Sequence, residues 1–305
     1  MKRIFILLFL IVQLTVLVKA QFAPQQSLYM YNQIALNPGA TGKDDALNVA
    51  LSYRTMWQGI QGAPRTMYAT IHTPLKKESI SVGFQFYSDR IGISKRNGIL
   101  LTAAYRIKMY NSELAFGLGA GAIANENNWQ DVQTVEQGDR VFTQGNVNYW
   151  LPATSAGVYY NSKKAFAGLS VPQMFSEVYA GGFAYKASFN PKYYSVVLNA
   201  GRWFSIDKKN RVLAACLLRY NRASKVQPEL SVLYSYDKLF DFGFTYRHKD
   251  SAILISRVRI NDQFSLGYSY DYVTSELAVY NKGTHEACLL YTFLFKSNSP
   301  NTKLF

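Results

Sequence analysis

The 305-residue chain is 49% hydrophobic and 15% aromatic, with 23 Tyr, 19 Phe and a formal net charge of +14. Beyond the N-terminus no segment is long and apolar enough for a transmembrane helix, so a helical membrane protein is excluded; a secreted soluble β-protein or a transmembrane β-barrel remains. The basic balance suits nucleic acid, anionic lipid or an acidic partner.

Met1–Ala20 reads as a secretory signal: Lys2 and Arg3 form the charged start, Ile4–Val18 the apolar run, and Val18-Lys19-Ala20 the cleavage pattern, so the mature chain is expected to begin at Gln21. The alternative, a membrane anchor, needs a longer run and no Gln13. No Cys follows Ala20, which sets aside a lipoprotein signal. For an exported protein nucleic acid is the least expected partner. Cys216 alternates in step with Val212, Ala214 and Leu218, whereas Cys288 is out of step with Leu289; the two are expected on opposite faces and unpaired despite an oxidising compartment.

Pro24–Asp45 contains Leu28, Tyr29, Met30, Tyr31, Ile34 and Leu36 before the turn Asn37-Pro38-Gly39. That is too apolar for a solvated tail and predicts a segment packed against or inside the main body, with an N-terminal cap on a soluble core as the alternative. Alternating strands then follow. Leu47, Val49, Leu51 and Tyr53 oppose Asn48, Ala50, Ser52 and Arg54; Met67, Ala69 and Ile71 oppose Tyr68, Thr70 and His72; Ile80, Val82, Phe84 and Phe86 oppose Ser81, Gly83 and Gln85. The next strand runs from Ile99 to Lys108. Leu114–Ala122 alternates with Gly117, Gly119 and Gly121, glycines that suggest close approach of another segment. Further candidates are 153–160, 165–171, 193–204, 212–220, 229–236, 242–248, 252–260 and 264–272. The last strand, Ala287, Leu289, Tyr291, Phe293 and Phe295, is strongly aromatic.

The fold expected is an all-β, transmembrane, antiparallel up-and-down barrel of about fourteen strands with a short N-terminal segment at or in the lumen. Its divisions are a signal at 1–20, the N-terminal segment at 21–45, the barrel at 46–296 and a tail at 297–305. Loop lengths support this. Turns after even-numbered strands are short, such as Asn111-Ser112 and Asn261-Asp262. Most connections after odd-numbered strands are longer: 56–63, 88–96, 125–151, 172–191 and 273–284. Short turns on one rim and long loops on the other mark an outer-membrane barrel, with both termini of the strand set on the periplasmic side. The last strand is expected to pair with Leu47–Thr55, so that no edge is left open.

Catalytic chemistry is weakly signalled. Ser269, Asp271 and His285 are the nearest thing to a triad, but Ser269 and Asp271 are strand neighbours with no strained turn to expose a nucleophile, and a polar ladder is the simpler reading. No His or Cys pair has zinc spacing and no calcium loop is present, so neither metal nor cofactor is expected. Trp57, Ile60, Trp129, Phe142, Tyr149 and Trp150 lie on the outer loops as candidate partner contacts, with an aromatic girdle as the competing explanation. Arg54, Arg106, Lys108 and Arg202 are assigned to the lumen. Leu289, Tyr291 and Phe293 resemble the terminal signal read by outer-membrane assembly machinery.

Four stretches carry a family resemblance: Tyr29-Met30-Tyr31-Asn32 with Asn37-Pro38-Gly39-Ala40; Tyr53-Arg54 through Trp57-Gln58-Gly59 to Gly62-Ala63-Pro64; Gly168-Leu169-Ser170-Val171-Pro172; and Gly267-Tyr268-Ser269-Tyr270-Asp271 leading to Gly283-Thr284-His285-Glu286. Together they resemble the PorP/SprF family of Bacteroidetes outer-membrane proteins, with Thr284 where Ser is usual. The resemblance implies a role in type IX secretion: a barrel in outer-membrane lipid that holds the C-terminal domain of an exported, adhesin-like client at the cell surface, together with secretion or gliding machinery. It also marks Asn37, Pro38, Tyr268, Tyr270, Asp271, His285 and Glu286 as motif residues. A passive channel or small-solute transporter is the alternative use of the same barrel.

Overall fold

The computed structural model describes residues 24–75, 79–129, 146–181, 184–221 and 225–293. The expected signal at 1–20, Phe142, Phe295 and the tail lie outside the described residues. Among the described residues there are sixteen strands, in chain order β1 (Leu47–Thr55), β2 (Arg65–Pro74), β3 (Ile80–Ile91), β4 (Ser94–Met109), β5 (Ser112–Asn127), β6 (Val147–Ser162), β7 (Ala165–Val171), β8 (Phe175–Gly181), β9 (Ala184–Phe189), β10 (Val196–Ser205), β11 (Asn210–Asn221), β12 (Lys225–Tyr236), β13 (Phe240–Arg247), β14 (Ser251–Arg259), β15 (Phe264–Val273) and β16 (Thr284–Phe293). All but β8 and β9 form one closed antiparallel barrel of fourteen strands. Closure is between β1 and β16, with Leu51 opposite Leu289, Val49 opposite Tyr291 and Leu47 opposite Phe293. No edge remains for a stray strand to extend.

Period-two alternation sets the two faces. Leu51, Tyr53, Ile71, Ile99, Leu101, Leu118, Val232, Phe244, Leu266 and Tyr268 are all exposed on the outside, while Arg54, Thr70, Gln85, Thr102, Ser231 and Ser269 are buried within. An apolar exterior with a polar interior fits a wall immersed in lipid. Strands β4, β5 and β6 are each 16 residues long, well beyond the roughly 9–11 needed to cross a bilayer. They project past the membrane as a raised wall on the long-loop side. Polar turns close the other rim; in one, the side-chain amide of Asn210 and the N–H groups of Lys209 and Asn210 donate to the carboxylate of Asp207 and hold it below the usual carboxylate range. Cys216 lies on the outward set and Cys288 on the inward one, and both are free.

Several expectations are corrected. The segment 88–96 is not a long loop: β3 and β4 pair until Ile91 meets Ser94, leaving only Gly92-Ile93, with Gly92 at φ +56°. The stretch 172–191 contains the hairpin β8–β9, which stands outside the barrel sheet. Arg202 faces outward beside the Phe204 ring at 5.5 Å, because Val197 and Trp203 on the opposite face pack into the lumen. While β13 turns Asp241, Thr245 and Arg247 inward, Leu213 and Leu217 of β11, Leu233 of β12 and Ile253 and Ile255 of β14 are likewise buried on the inner face. Apolar residues occupy both faces there, so alternation alone misassigns sides.

The inner apolar wall has a partner. Residues 26–42 of the N-terminal segment lie inside the barrel, buried except at Tyr31. Leu28, Tyr29, Met30 and Leu36 pack on Val197, Leu213, Leu217, Leu233, Ile253 and Ile255, worth about 1.5–3 kcal/mol per large side chain relative to a solvated segment. Across the lumen, Ala35 joins Tyr68, Tyr87, Leu100, Ile123 and Ala153. Two short 3-10 turns, Gln33–Ala35 and Pro38–Ala40, compact the segment. Both ends of the strand set lie on the short-turn rim as expected, but the N-terminal segment rises from there through the lumen. Its first described residues reach the long-loop end, where Gln25 Nε2 donates to Gln227 Oε1 at 3.1 Å.

The aromatic end of β16 leads to a first prediction. Leu289, Tyr291 and Phe293 face outward, and the Tyr291 ring lies 4.8 Å from that of Phe264. Tyr291→Asp or Phe293→Asp is expected to block assembly, read as loss of the heat-modifiable species in outer-membrane fractions. A normally inserted mutant would refute this.

Candidate functional site

The buried charges cluster at the upper end of the lumen segment. Arg54 (β1), Arg219 (β11) and Arg247 (β13) face Glu229 (β12), Asp271 (β15) and Glu286 (β16), three charges of each sign and all buried. Arg54 contacts Asp271 at 2.7 Å and Glu286 at 3.0 Å; Arg247 contacts Glu229 at 2.8 Å, Asp250 at 3.2 Å and Asp271 at 3.4 Å; Arg219 contacts Glu229 at 3.2 Å. Strand register produces two of these pairs directly, since Arg54 lies opposite Glu286 across the closing seam and Glu229 opposite Arg247. Balanced, hydrogen-bonded pairs are the form in which ionised groups tolerate burial.

Ser27 of the lumen segment sits at the centre. Its hydroxyl donates to Asp271 Oδ2 at 2.7 Å and accepts from Arg54 Nη1 at 2.8 Å and Arg247 Nη2 at 3.1 Å. Its backbone N–H donates to Glu286 Oε2 at 2.7 Å. One donor and two acceptors is the full capacity of a hydroxyl, so the network saturates Ser27, while Arg54 Nε, Arg219 Nη2 and Glu229 Oε1 find no partner among the described residues. Lower down, Tyr31 donates to Asp241 at 3.2 Å under the guanidinium of Arg257, which itself pairs with Asp241 at 2.7 Å. At the short-turn end Arg106 Nη1 donates to the Gly42 carbonyl at 2.6 Å and its Nη2 pairs with Asp45 at 2.9 Å, while the Gly42 N–H donates to His72 Nδ1 at 3.0 Å.

The motif Asn37-Pro38-Gly39 fills a seat made of glycines. A Cβ on Gly117 would lie 2.2 Å from the Gly39 nitrogen, one on Gly157 2.1 Å from Asn37 Oδ1, and one on Gly168 2.8 Å from Asn37 Nδ2. Asn37 Nδ2 donates to the Val158 carbonyl at 2.9 Å, and Ser170 Oγ to that of Leu36 at 2.7 Å. Gly117 therefore has the predicted close approach of another segment. Gly119 instead abuts Ser155 and Gly121 abuts the backbone of Ile99.

The last motif divides between the faces. Asp271 and Glu286 point inward to the ion cluster. Tyr268, Tyr270 and His285 point outward, with Tyr268 Oη 2.6 Å from His285 Nδ1 and the Tyr270 ring 5.1 Å from the imidazole. Ser269 and Asp271 are thus separated from His285 by the barrel wall, and the three do not meet. Ser27, Arg219, Glu229 and Arg247 were not singled out by sequence reasoning; inward parity was the available signal for the last three.

On the long-loop rim, Trp57 and Ile60 are half-buried and line a cleft of about 300 Å³. Their loop is clamped on both sides. Gln58 N–H donates to the Gly283 carbonyl at 2.9 Å and Lys282 N–H to that of Gln58 at 2.7 Å, while Gly92 N–H reaches the Gly62 carbonyl at 2.8 Å. Tyr149 faces inward, stacked on Tyr185 of the hairpin at 4.4 Å and donating to Glu177 at 2.6 Å. Trp150 faces outward, 71% exposed, at a girdle position, and Trp129 is half-buried just past β5. The most exposed apolar side chains here are ones the sequence reading passed over: Val279 at 85% and Tyr280 at 72%, in the 3-10 turn Glu276–Tyr280.

Among solved structures the chain is similar to the outer-membrane protein Omp33 of Acinetobacter baumannii at 8% identity, covering 82% of this chain and 98% of that one with a TM-score of 0.44. It is similar to a Pseudomonas aeruginosa FadL homologue at 10% identity, covering 86% and 94% with a TM-score of 0.47. The KdgM porin matches at 8% identity, covering 80% and 99% with a TM-score of 0.38. No curated protein matches the chain. A family model described as type IX secretion system membrane protein PorP/SprF matches residues 18–291. With a closed barrel, an apolar exterior and that match over most of its length, the chain belongs to the PorP/SprF family of type IX secretion system outer-membrane barrels.

Proposed function

We propose that this barrel is a non-enzymatic anchor that receives the C-terminal domain of an exported, adhesin-like client at the cell surface, working with other components of the secretion or gliding machinery. The observation that carries the reading is the lumen segment, tied to the wall by buried charge at its upper end and by Arg106 at its lower end. A barrel filled in this way has its working surface on the outer rim. There the loops at Trp57 and Tyr280 are joined backbone to backbone and present Val279 and Tyr280 to solvent, a rigid base with exposed aromatic and aliphatic anchors. Short polar turns on the opposite rim are the surface offered to periplasmic machinery.

The test is affinity purification from native outer membrane. One large secreted protein is expected to co-purify, and Val279→Asp/Tyr280→Asp is expected to lower its recovery by about tenfold or more, the scale of a lost interface anchor. Recovery unaffected by the double variant moves the contact elsewhere. Steady open-pore current from the purified barrel in planar bilayers overturns the anchor reading in favour of a channel.

A further inference from the structure

The outward face of β2, β3 and β4 changes character row by row toward the long-loop rim. Register places Ile71, Phe84 and Leu101 side by side, then Ala69, Phe86 and Ile99, then Met67, Ser88 and Asn97, and finally Arg65, Arg90 and Lys95. Successive rows are two residues apart, about 7 Å along the strands. The sequence of environments is apolar, apolar, mildly polar, cationic.

Three cations directly opposed across neighbouring strands repel one another and weaken the pairing that holds them. All three are exposed, and among the described residues none is in an ion pair. Glu126 is the next residue along the row, opposite Lys95, and leaves the group with net positive charge; Asp89 and Arg96 on the same strands alternate to the lumen side. Elsewhere on this rim the exposed outward positions include Trp150, Tyr220, Val226, Tyr246 and Tyr272, none of them charged. Arg65 and Arg90 also line the cleft of about 300 Å³ beneath the Trp57 loop, beside Thr55. Guanidinium forks match the oxygens of a phosphate, and paired arginines bind it more specifically than point charges do.

We propose that this face binds a phosphate-bearing lipid of the outer leaflet. Its acyl chains lie along the Ile71 and Ala69 rows, its polar linkage region meets Ser88 and Asn97, and its phosphate is held by Arg65, Arg90 and Lys95 with the headgroup entering the cleft. The graded rows favour a lipid over an acidic protein segment, which has no use for the apolar rows below.

The full-length barrel, purified in detergent, is incubated with bisphosphorylated lipid A, with the same lipid stripped of both phosphates, with inorganic phosphate and with a poly-glutamate peptide, and each adduct is followed by native mass spectrometry. The phosphorylated lipid is expected to be retained and the stripped lipid lost. Arg65→Ala/Arg90→Ala is expected to weaken retention about thirtyfold and Lys95→Ala about fivefold, with Arg65→Lys/Arg90→Lys recovering only part of it because a point charge replaces each fork. Heat-modifiable migration confirms that these surface variants are folded. Equal retention of the stripped lipid, or no loss in either alanine variant, overturns the proposal. Arginine-dependent binding of inorganic phosphate or poly-glutamate as tight as that of the lipid overturns it as well, in favour of a free-anion or acidic-protein site.

Discussion

Arg247→Leu is expected to destabilise the barrel by about 3–5 kcal/mol, the scale of removing one partner from a buried ion pair. Its guanidinium contacts Glu229, Asp250, Asp271 and the Ser27 hydroxyl. Without it, three buried carboxylates face two arginines, and the excess negative charge is held in a buried site. Two readouts separate the effects. The midpoint of heat or urea unfolding in detergent reports the barrel, and bilayer conductance reports the lumen, which is expected to open because Ser27 loses one of its anchors. The double variant Arg247→Leu/Glu229→Leu removes both members of a directly opposed pair. It is expected to recover only part of the loss, because Arg219, which pairs with Glu229 at 3.2 Å, keeps a buried charge without that partner. A single variant with unchanged unfolding and no conductance would show that the ion cluster does not hold the segment.

The second large effect is expected from Gly117→Val. Here the obstacle is backbone: the new Cβ alone would lie 2.2 Å from the Gly39 nitrogen and from the Pro38 carbonyl carbon, and 2.4 Å from the Pro38 oxygen. Nothing there is the free end of a side chain, so the Asn37-Pro38-Gly39 turn must leave its seat. Overpacking at a tight contact costs about 1–3 kcal/mol or more, and the loss falls on the segment because the lipid-facing side of β5 is untouched. Limited proteolysis should then cut the N-terminal segment in a barrel that still migrates as folded. Gly119→Ala is the control, since its Cβ would meet the rotatable Ser155 hydroxyl at 2.3 Å and a rotamer change relieves the clash. If both variants leave the segment equally protected, the glycine seat is not what positions it.

These two sites differ in how far they can be read without coordinates. The glycines of β5 announce a close approach because a strand gains nothing from missing side chains unless something else needs the space. The Asn37-Pro38 turn, lying just before the first strand, is the nearest candidate to fill it. The ion cluster has no such local signature. Arg54, Asp271 and Glu286 fall on the inward parity, but Glu229 and Arg247 share that parity with Ser231, Ser235, Asp241 and Thr245, so parity does not single them out, and Ser27 is one serine in an N-terminal stretch with no periodicity.

The wall is legible in the residues alone: alternation at period two, turn placement and an aromatic final strand specify fourteen antiparallel strands, which face meets lipid over most of them, and the seam between Leu47–Thr55 and the last strand. Apart from the seam, which follows from the need to leave no open edge, those features depend on neighbours within one or two strands. What fills the lumen, and which way the filling runs, depends instead on packing between parts of the chain far apart in sequence. Where both faces of a strand are apolar, as around Trp203 and Leu213, alternation carries no sidedness until a packing partner is present. Residues from β1, β11, β12, β13, β15 and β16 converge on Ser27 only once the barrel has closed, because closure brings the first and last strands together and sets their charges around the segment inside.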